Sequence, residues 1–245
     1  MIHRASSTIL DKKYLALRSI ETSPIRVDLS RMVVNKPWGY EYLLTHTPLV
    51  EVWHLSLTRH CSTSTHCHPN KKTALIVLEG KALFSTLNGS IELKAMDAAM
   101  IDSGVFHSTQ CISKKPLKLL EIETPPMKHD LIRLEDKYGR ANSGYEGTDK
   151  MKTVNGAFVK FDDSRRSNIK NFCKSDIDIL TVADTKDLDA AVFKKSRLTV
   201  VIKGFVKSAD GKTAHSIGDV VNTKELRTGN YTLKNVSLLS IAPKK

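Results

Sequence analysis

The stretch THCHPNKKTALIVLEG, residues 65–80, places two histidines one residue apart at the head of an apolar run that ends in glycine. Side chains two apart on an extended chain share a face, so His66 and His68 project together while Cys67 points away. Two imidazoles so placed can share one metal ion. A third histidine, His107, follows the turn-like Asp-Ser-Gly of DSGVFHST, and an antiparallel barrel would bring it beside the pair. An HxH pair alone also fits histidines packed in, or exposed on, an ordinary β domain.

The surrounding pattern is that of strands. EVWHLSLTRH, residues 51–60, alternates Val52, His54, Ser56 and Thr58 with Trp53, Leu55 and Leu57, the period of a half-buried strand. TALIVLEGKALFSTLNGSIELK reads as two strands about a turn at Asn88-Gly89, a dipeptide suited to the positive φ angles of a tight hairpin. AAMID, FHSTQCI and LKLLEIE supply further strands, and short strands so closely spaced indicate a barrel or sandwich. Residues 11–20 have the apolar spacing of one short helix, and ANSGYEGTDKMKTVNG after Arg140 has the composition of an exposed linker.

Beyond that segment the strand pattern recurs. LTVVIKGFVKSADGKTAHSIGDVV parallels ALIVLEGKALFSTLNGSIELKAMDAAM, with Gly204 matching Gly80 and Asp219 matching Asp97, each aspartate eight residues past a turn glycine. Tandem duplication follows. Carried to the histidines, the alignment puts Ala190, Val192 and Gly229 where the first half has His66, His68 and His107, so the second half cannot bind metal with the same residues.

With 245 residues the chain can form one large domain or two small ones. A net charge of +12 favours an anionic partner, but the basic residues form no arginine-rich stripe and are not interleaved with stacking rings, which argues against nucleic acid. Four cysteines (Cys61, Cys67, Cys111 and Cys173) without a CxxC pair fit a reducing, cytoplasmic setting. The first twenty residues contain no apolar stretch of signal-peptide or membrane-spanning length.

These residues resemble the cupin superfamily, whose first motif is an HxH pair, a glutamate and a glycine, and whose second ends in histidine. HCHPNKKTALIVLEG supplies His66, His68 and Gly80, and MDAAMIDSGVFH supplies Gly104 and His107. The family glutamate falls on Thr73, the second motif's glycine on Met96 and its proline on Asp102. KPWGYEYLL and EIETPPMKHDLIRLEDKYGR narrow the resemblance, over residues 33–140, to the cupin domain of type II mannose-6-phosphate isomerases and related nucleotide-sugar and capsule enzymes. The resemblance implies an all-β chain of two tandem double-stranded β-helix (jelly-roll) barrels, the second degenerate. The expected division is an N-terminal extension over 1–32, a metal-binding barrel over 33–140, a linker over 141–156 and a degenerate barrel over 157–245.

It further implies one divalent transition metal (zinc, manganese, nickel or iron) on His66, His68 and His107, with Arg133, grouped with Glu121 and Glu123 as catalytic, near the pocket together with the KPWG and DLIRLED segments. Glu121 and Glu123 share one face of LLEIE, and if that face is interior one can be the base of an aldose–ketose isomerisation. Arg59, Lys71, Lys72 and Arg133 are donors for a sugar phosphate, with Arg59 and Lys72 assigned to substrate. His54 is a further ligand or a filler. The absent glutamate keeps open a three-histidine iron dioxygenase and a non-catalytic sugar-binding barrel. Cupins commonly pair sheets, so a homodimer is expected.

Overall fold

The structure, a computed structural model, describes residues 1–18, 28–141, 143–153 and 167–244. Its first half contains β1 (Ile2–Ala5), β2 (Met32–Lys36), β3 (Gly39–His46), β4 (Glu51–Leu57), β5 (Thr65–Cys67) and β6 (Lys72–Glu79). There follow β7 (Lys81–Thr86), β8 (Gly89–Lys94), β9 (Ala98–Ile101), β10 (His107–Cys111), β11 (Leu117–Thr124), β12 (Ile132–Glu135) and β13 (Met151–Thr153). An eight-stranded sheet runs β1-β9-β6-β11-β4-β3-β2-β13 and a five-stranded sheet β12-β5-β10-β7-β8. Between them lies an apolar core that includes Leu43, Trp53, Leu55, Leu75, Val77, Phe84 and Leu119.

Gly80 explains why the apolar run after the histidines is two strands and not one. Its φ is +91°, and a Cβ there would stand 2.7 Å from Ser113 Oγ and 3.2 Å from Leu117 Cα. The chain turns at this glycine, so β6 joins the large sheet and β7 the small one. The Asn88-Gly89 hairpin connects β7 and β8 as expected.

The second half repeats the plan. Its strands are β14 (Ser167–Phe172), β15 (Ser175–Asp184), β16 (Leu198–Lys203), β17 (Val206–Ser208), β18 (Thr213–His215), β19 (Val220–Asn222) and β20 (Tyr231–Pro243). The order β19-β16-β20-β15-β14 reproduces β9-β6-β11-β4-β3. The turns agree bond for bond. Val77 N donates to Asp97 O at 3.0 Å and Met96 N to Val77 O at 2.8 Å; Val201 N donates to Asp219 O at 3.1 Å and Gly218 N to Val201 O at 2.8 Å. Each aspartate also caps the amide three residues before it, Lys94 N at 3.1 Å and Ser216 N at 2.7 Å. Met96 and Gly218 both have positive φ, 68° and 87°, so the second copy keeps a glycine where the first strains a methionine.

The small sheet is where the copies differ. In the second half it is reduced to β17 and β18, paired against the start of β20. Ala190 and Val192, the counterparts of His66 and His68, lie at the start of a five-residue helix, Ala191–Lys195, and Gly229 ends another, Thr223–Thr228. Leu188, Phe193 and Leu226 of this region fill the space against Val201, Val206 and Leu238. Apolar side chains thus close the interior that holds the histidines in the first half.

The two large sheets stack face to face. Val52, Ile76, Leu120 and Ile122 of the first meet Ile177, Val200, Leu239 and Ile241 of the second in one buried cluster. Strand β4 is therefore covered on both faces: Val52, His54 and Ser56, which alternation alone would leave half-buried, are all buried. A homodimer formed by sheet pairing would have to use another surface, because the chain's own second half covers this one.

Two segments set aside by composition belong to the first barrel. β1 pairs in parallel with β9, Ile2 opposite Ala98. A helix, Ile9–Ala16, is capped by Thr8, and Asp11 in it accepts from Phe106 N at 2.8 Å. Residues 143–153, whose composition suggests an exposed linker, return to the sheet, where Met151 lies opposite Val34. Gly and Ser mark a loop there, but Tyr145 and Glu146 within it pack inward. All four cysteines are free, and no described helix is long and apolar enough to cross a membrane.

Candidate metal centre

Adjacent strands of the small sheet set the three histidines. His66 on β5 lies opposite His107 on β10, and on the other side opposite Arg133 on β12. His68, two residues on, shares the face of His66. Ring centroids are 4.5 Å apart for His66 and His107, 5.1 Å for His66 and His68, and 5.5 Å for His68 and His107. One nitrogen from each ring lies within 4.8 Å of the others.

The outer partners decide which nitrogens are offered. Nδ1 of His66 donates to Ser64 O at 2.8 Å, Nδ1 of His68 to Asp130 O at 2.6 Å and Nδ1 of His107 to Val105 O at 3.0 Å. With each Nδ1 carrying the proton, each Nε2 presents a lone pair, the tautomer that ligation needs. Burial holds all three imidazoles neutral: His66 and His68 titrate well below the ordinary range and His107 is pushed down to about 4. Nε2 of His68 is buried with no hydrogen-bond partner among the described residues. Three convergent neutral imidazoles with oriented outer partners fit a divalent transition metal, and among the described residues no carboxylate completes the set.

Thr73 is buried on the same inward face, and opposite it across the ladder stands Glu123. The carboxylate missing from β6 is thus present one strand away, but it is bound to cations. Glu123 pairs with Lys71 Nζ at 2.7 Å and Lys128 Nζ at 2.7 Å; Lys128 also reaches Glu121 and Glu41 at 3.3 Å each and lies 4.0 Å over the Trp53 ring. These lysines and glutamates, the triad residues His66 and His68, Arg133 and Arg140 line one pocket with Tyr145 and Glu146.

Two carboxyls of one strand are driven apart. Burial pushes Glu121 up, the Glu123 charge reinforces it and Lys128 only partly opposes, leaving it at about 7. Burial raises Glu123 too, but Lys128 and Lys71 outweigh that and hold it at about 2. A folded-state value above the ordinary carboxyl range means that stability is lost as pH rises through the interval up to about 7. Glu121→Gln is therefore expected to melt higher than the wild type at pH 8, by roughly 2–4 °C per kcal/mol recovered, and to match it at pH 4. An equal offset at both pH values would place the Glu121 carboxyl outside this environment.

The expected site residues divide cleanly. His66, His68, His107, Glu121, Glu123 and Arg133 are all buried around this interior. Arg59 and Lys72 are exposed and line no part of the pocket; Lys72 Nζ instead faces Ser216 Oγ at 3.4 Å. The lysine that enters is Lys71, which has the parity of inward-facing Thr73 and Leu75. His54 is filler: it sits between the stacked sheets against Tyr42 and Phe172, away from the triad. Glu41, Lys128, Arg140, Tyr145 and Glu146 were not anticipated as pocket residues, whereas Lys36 opens the KPWG segment that the resemblance places near the pocket. Only Glu41 carries a sequence signal, the alternation of KPWGYEYLL that aligns it with Leu43.

Residues 54–123 match the family described as Cupin domain (Cupin_2). Among solved structures, the chain is similar to KdgF from Halomonas sp., with 16% identity, 37% of this chain and 82% of that one covered, and a TM-score of 0.34. It is also similar to the capsular polysaccharide assembling protein CapF from Staphylococcus aureus, with 17% identity, 42% and 34% covered, and a TM-score of 0.38. A Klebsiella pneumoniae protein with a double-stranded β-helix domain gives 18% identity, 46% and 86% covered, and a TM-score of 0.36. At these levels none of the likenesses bears on substrate. No curated protein matches the chain.

Proposed function

The first half of this chain contains a cupin domain, and on that premise we propose that His66, His68 and His107 hold one divalent transition metal in an isomerase-like enzyme acting on a small phosphorylated or nucleotide-linked sugar. One observation carries the reading: Glu121 and Glu123 enter the pocket of His66 and His68 from one strand, Glu123 bound to both Lys71 and Lys128 at 2.7 Å and Glu121 only to Lys128 at 3.3 Å, so that burial pushes Glu121 up to about 7 while the lysines hold Glu123 at about 2. Carboxyls pushed to opposite ends of the scale are what proton transfer at neutral pH requires.

A bound divalent metal would supply Lewis-acid polarisation of substrate oxygens. The chain's own residues do the rest. Glu121 takes the proton from the hydroxyl-bearing carbon beside the carbonyl and returns it to the former carbonyl carbon, while the hydroxyl proton of the first carbon passes to the former carbonyl oxygen. Glu123, unable to protonate in the working range, fixes Lys71 and Lys128, whose ammonium groups offset negative charge on the enediolate oxygens. Trp38, Leu55 and Leu131 supply apolar wall that limits water.

The test is turnover of mannose 6-phosphate or a similar aldose phosphate in D2O by protein loaded with zinc, manganese or nickel. Ketose formation with solvent deuterium at the exchanged carbon is expected, with Glu121→Gln slower by about 10²–10⁴-fold. Stoichiometric iron with oxygen uptake and no isomerisation would overturn the reading and favour the dioxygenase.

A further inference from the structure

Beside the proton-transfer groups the pocket holds a second cluster with a different balance. The Glu146 carboxylate is gripped by three cations: Lys36 Nζ and Arg140 Nη1 in direct contact, and Arg133 Nη2 at 3.4 Å. The side chains of Lys36, Arg133 and Glu146 are 5%, 3% and 5% exposed. The cations belong to the barrel, on β2, on β12 and just beyond β12. The anion belongs to a strap, residues 143–150, tied down by Arg133 Nη1 bonds to Ser143 O and Gly144 O, a Tyr145 hydroxyl bond to Glu41, and Asn35 Nδ2 to Lys150 O at 3.2 Å. Its other residues, 147 to 150, are exposed.

We infer that Lys36, Arg133 and Arg140 form the subsite for the phosphate group of a small phosphorylated ligand, and that Glu146 is an internal stand-in which withdraws when that ligand binds. The charges of the pocket support phosphate in particular. Five cations (Lys36, Lys71, Lys128, Arg133 and Arg140) line it against four carboxylates, Glu41, Glu121, Glu123 and Glu146. Withdrawing Glu146 leaves three carboxylates against five cations, an excess of two with Glu121 ionised, which a phosphate dianion matches and a single carboxylate does not. Two guanidinium groups converging on one point also suit the bidentate recognition of a tetrahedral oxyanion. The other claims on these cations are already met within the barrel: Arg140 Nε donates to Asp136 Oδ2 at 2.6 Å, and Lys36 lies 3.3 Å from Glu41 Oε1. Only the bonds to the strap need break.

This deepens the reading above by naming how its substrate class is held, and its test uses neither metal nor turnover, so the two can fail separately. Inorganic phosphate is titrated calorimetrically into the 245-residue wild type, Glu146→Gln and the double variant Glu146→Gln, Arg140→Met. Glu146→Gln removes the internal competitor's charge and is expected to bind phosphate at least about tenfold more tightly than the wild type, and Arg140→Met is expected to reverse the gain. Equal affinity in wild type and Glu146→Gln, with melting temperatures that show both folded, would overturn the proposal. Hydrogen exchange of the wild type covers the case in which Glu146→Gln does not fold. Saturating phosphate is expected to speed exchange across residues 143–150, and unchanged exchange there would overturn the proposal equally.

Discussion

Replacing His66 and His68 together with alanine is expected to strip the protein of metal. Protein purified without added metal and analysed by inductively coupled plasma mass spectrometry should carry close to one divalent ion per chain, and the double variant essentially none. Disturbing outer partners alone typically weakens metal sites about 10–100-fold, so deleting two of three imidazoles is expected to exceed that range. Folding should survive. The two rings face a polar pocket, and the cores on either side of the large sheet are built from Trp53, Leu75 and Val77 or from Val52, Ile76 and Leu120. Far-ultraviolet circular dichroism like the wild type's, together with lost metal, would tie the ion to the triad. Metal retained in the double variant would place it elsewhere and remove the basis of the proposed chemistry.

Lys128→Met is expected to cost about 3–5 kcal/mol at pH 7.5, the range for a buried ion pair broken on one side. The ammonium lies among Glu41, Glu121 and Glu123, and all three attractions hold its own proton well above the ordinary range despite burial. Methionine preserves the contact with the Trp53 ring but leaves the carboxylates repelling one another with Lys71 and Lys36 alone to balance them. Their protonation on acidification relieves the repulsion, so the deficit, read from urea denaturation, should shrink between pH 7.5 and pH 5. A deficit that does not change with pH would trace to packing over Trp53 and not to charge.

Much of this was legible from local rules. Period-2 alternation put His66 with His68 and Glu121 with Glu123, and the positive-φ glycines set the register in which the two copies align. The same parity separates Lys71 from Lys72, and applying it to the charged residues would have exchanged the exposed one for the buried one. Other features have no local signal. Lys128 comes from the aperiodic loop TPPMKHD, and Glu146 from a stretch whose Gly and Ser content is that of a solvated connector. Both are drawn inward by ion pairs with residues distant in sequence, such as Lys36 and Glu41. The face of β4 bearing His54 mixes polar and apolar residues and reads as half-wet; nothing in the strand itself announces that another sheet will lie on it.

That stacking has a consequence for how the protein behaves on dilution. A barrel whose apolar sheet is covered by a second molecule loses its cover as concentration falls, and its site then depends on how much protein is present. Here the cover is part of the same chain, and a tethered partner stays at a fixed effective concentration however dilute the solution. The shortened copy supplies this cover through β15, β16 and β20 whether or not it binds anything. The melting temperature should accordingly stay constant as the protein is diluted.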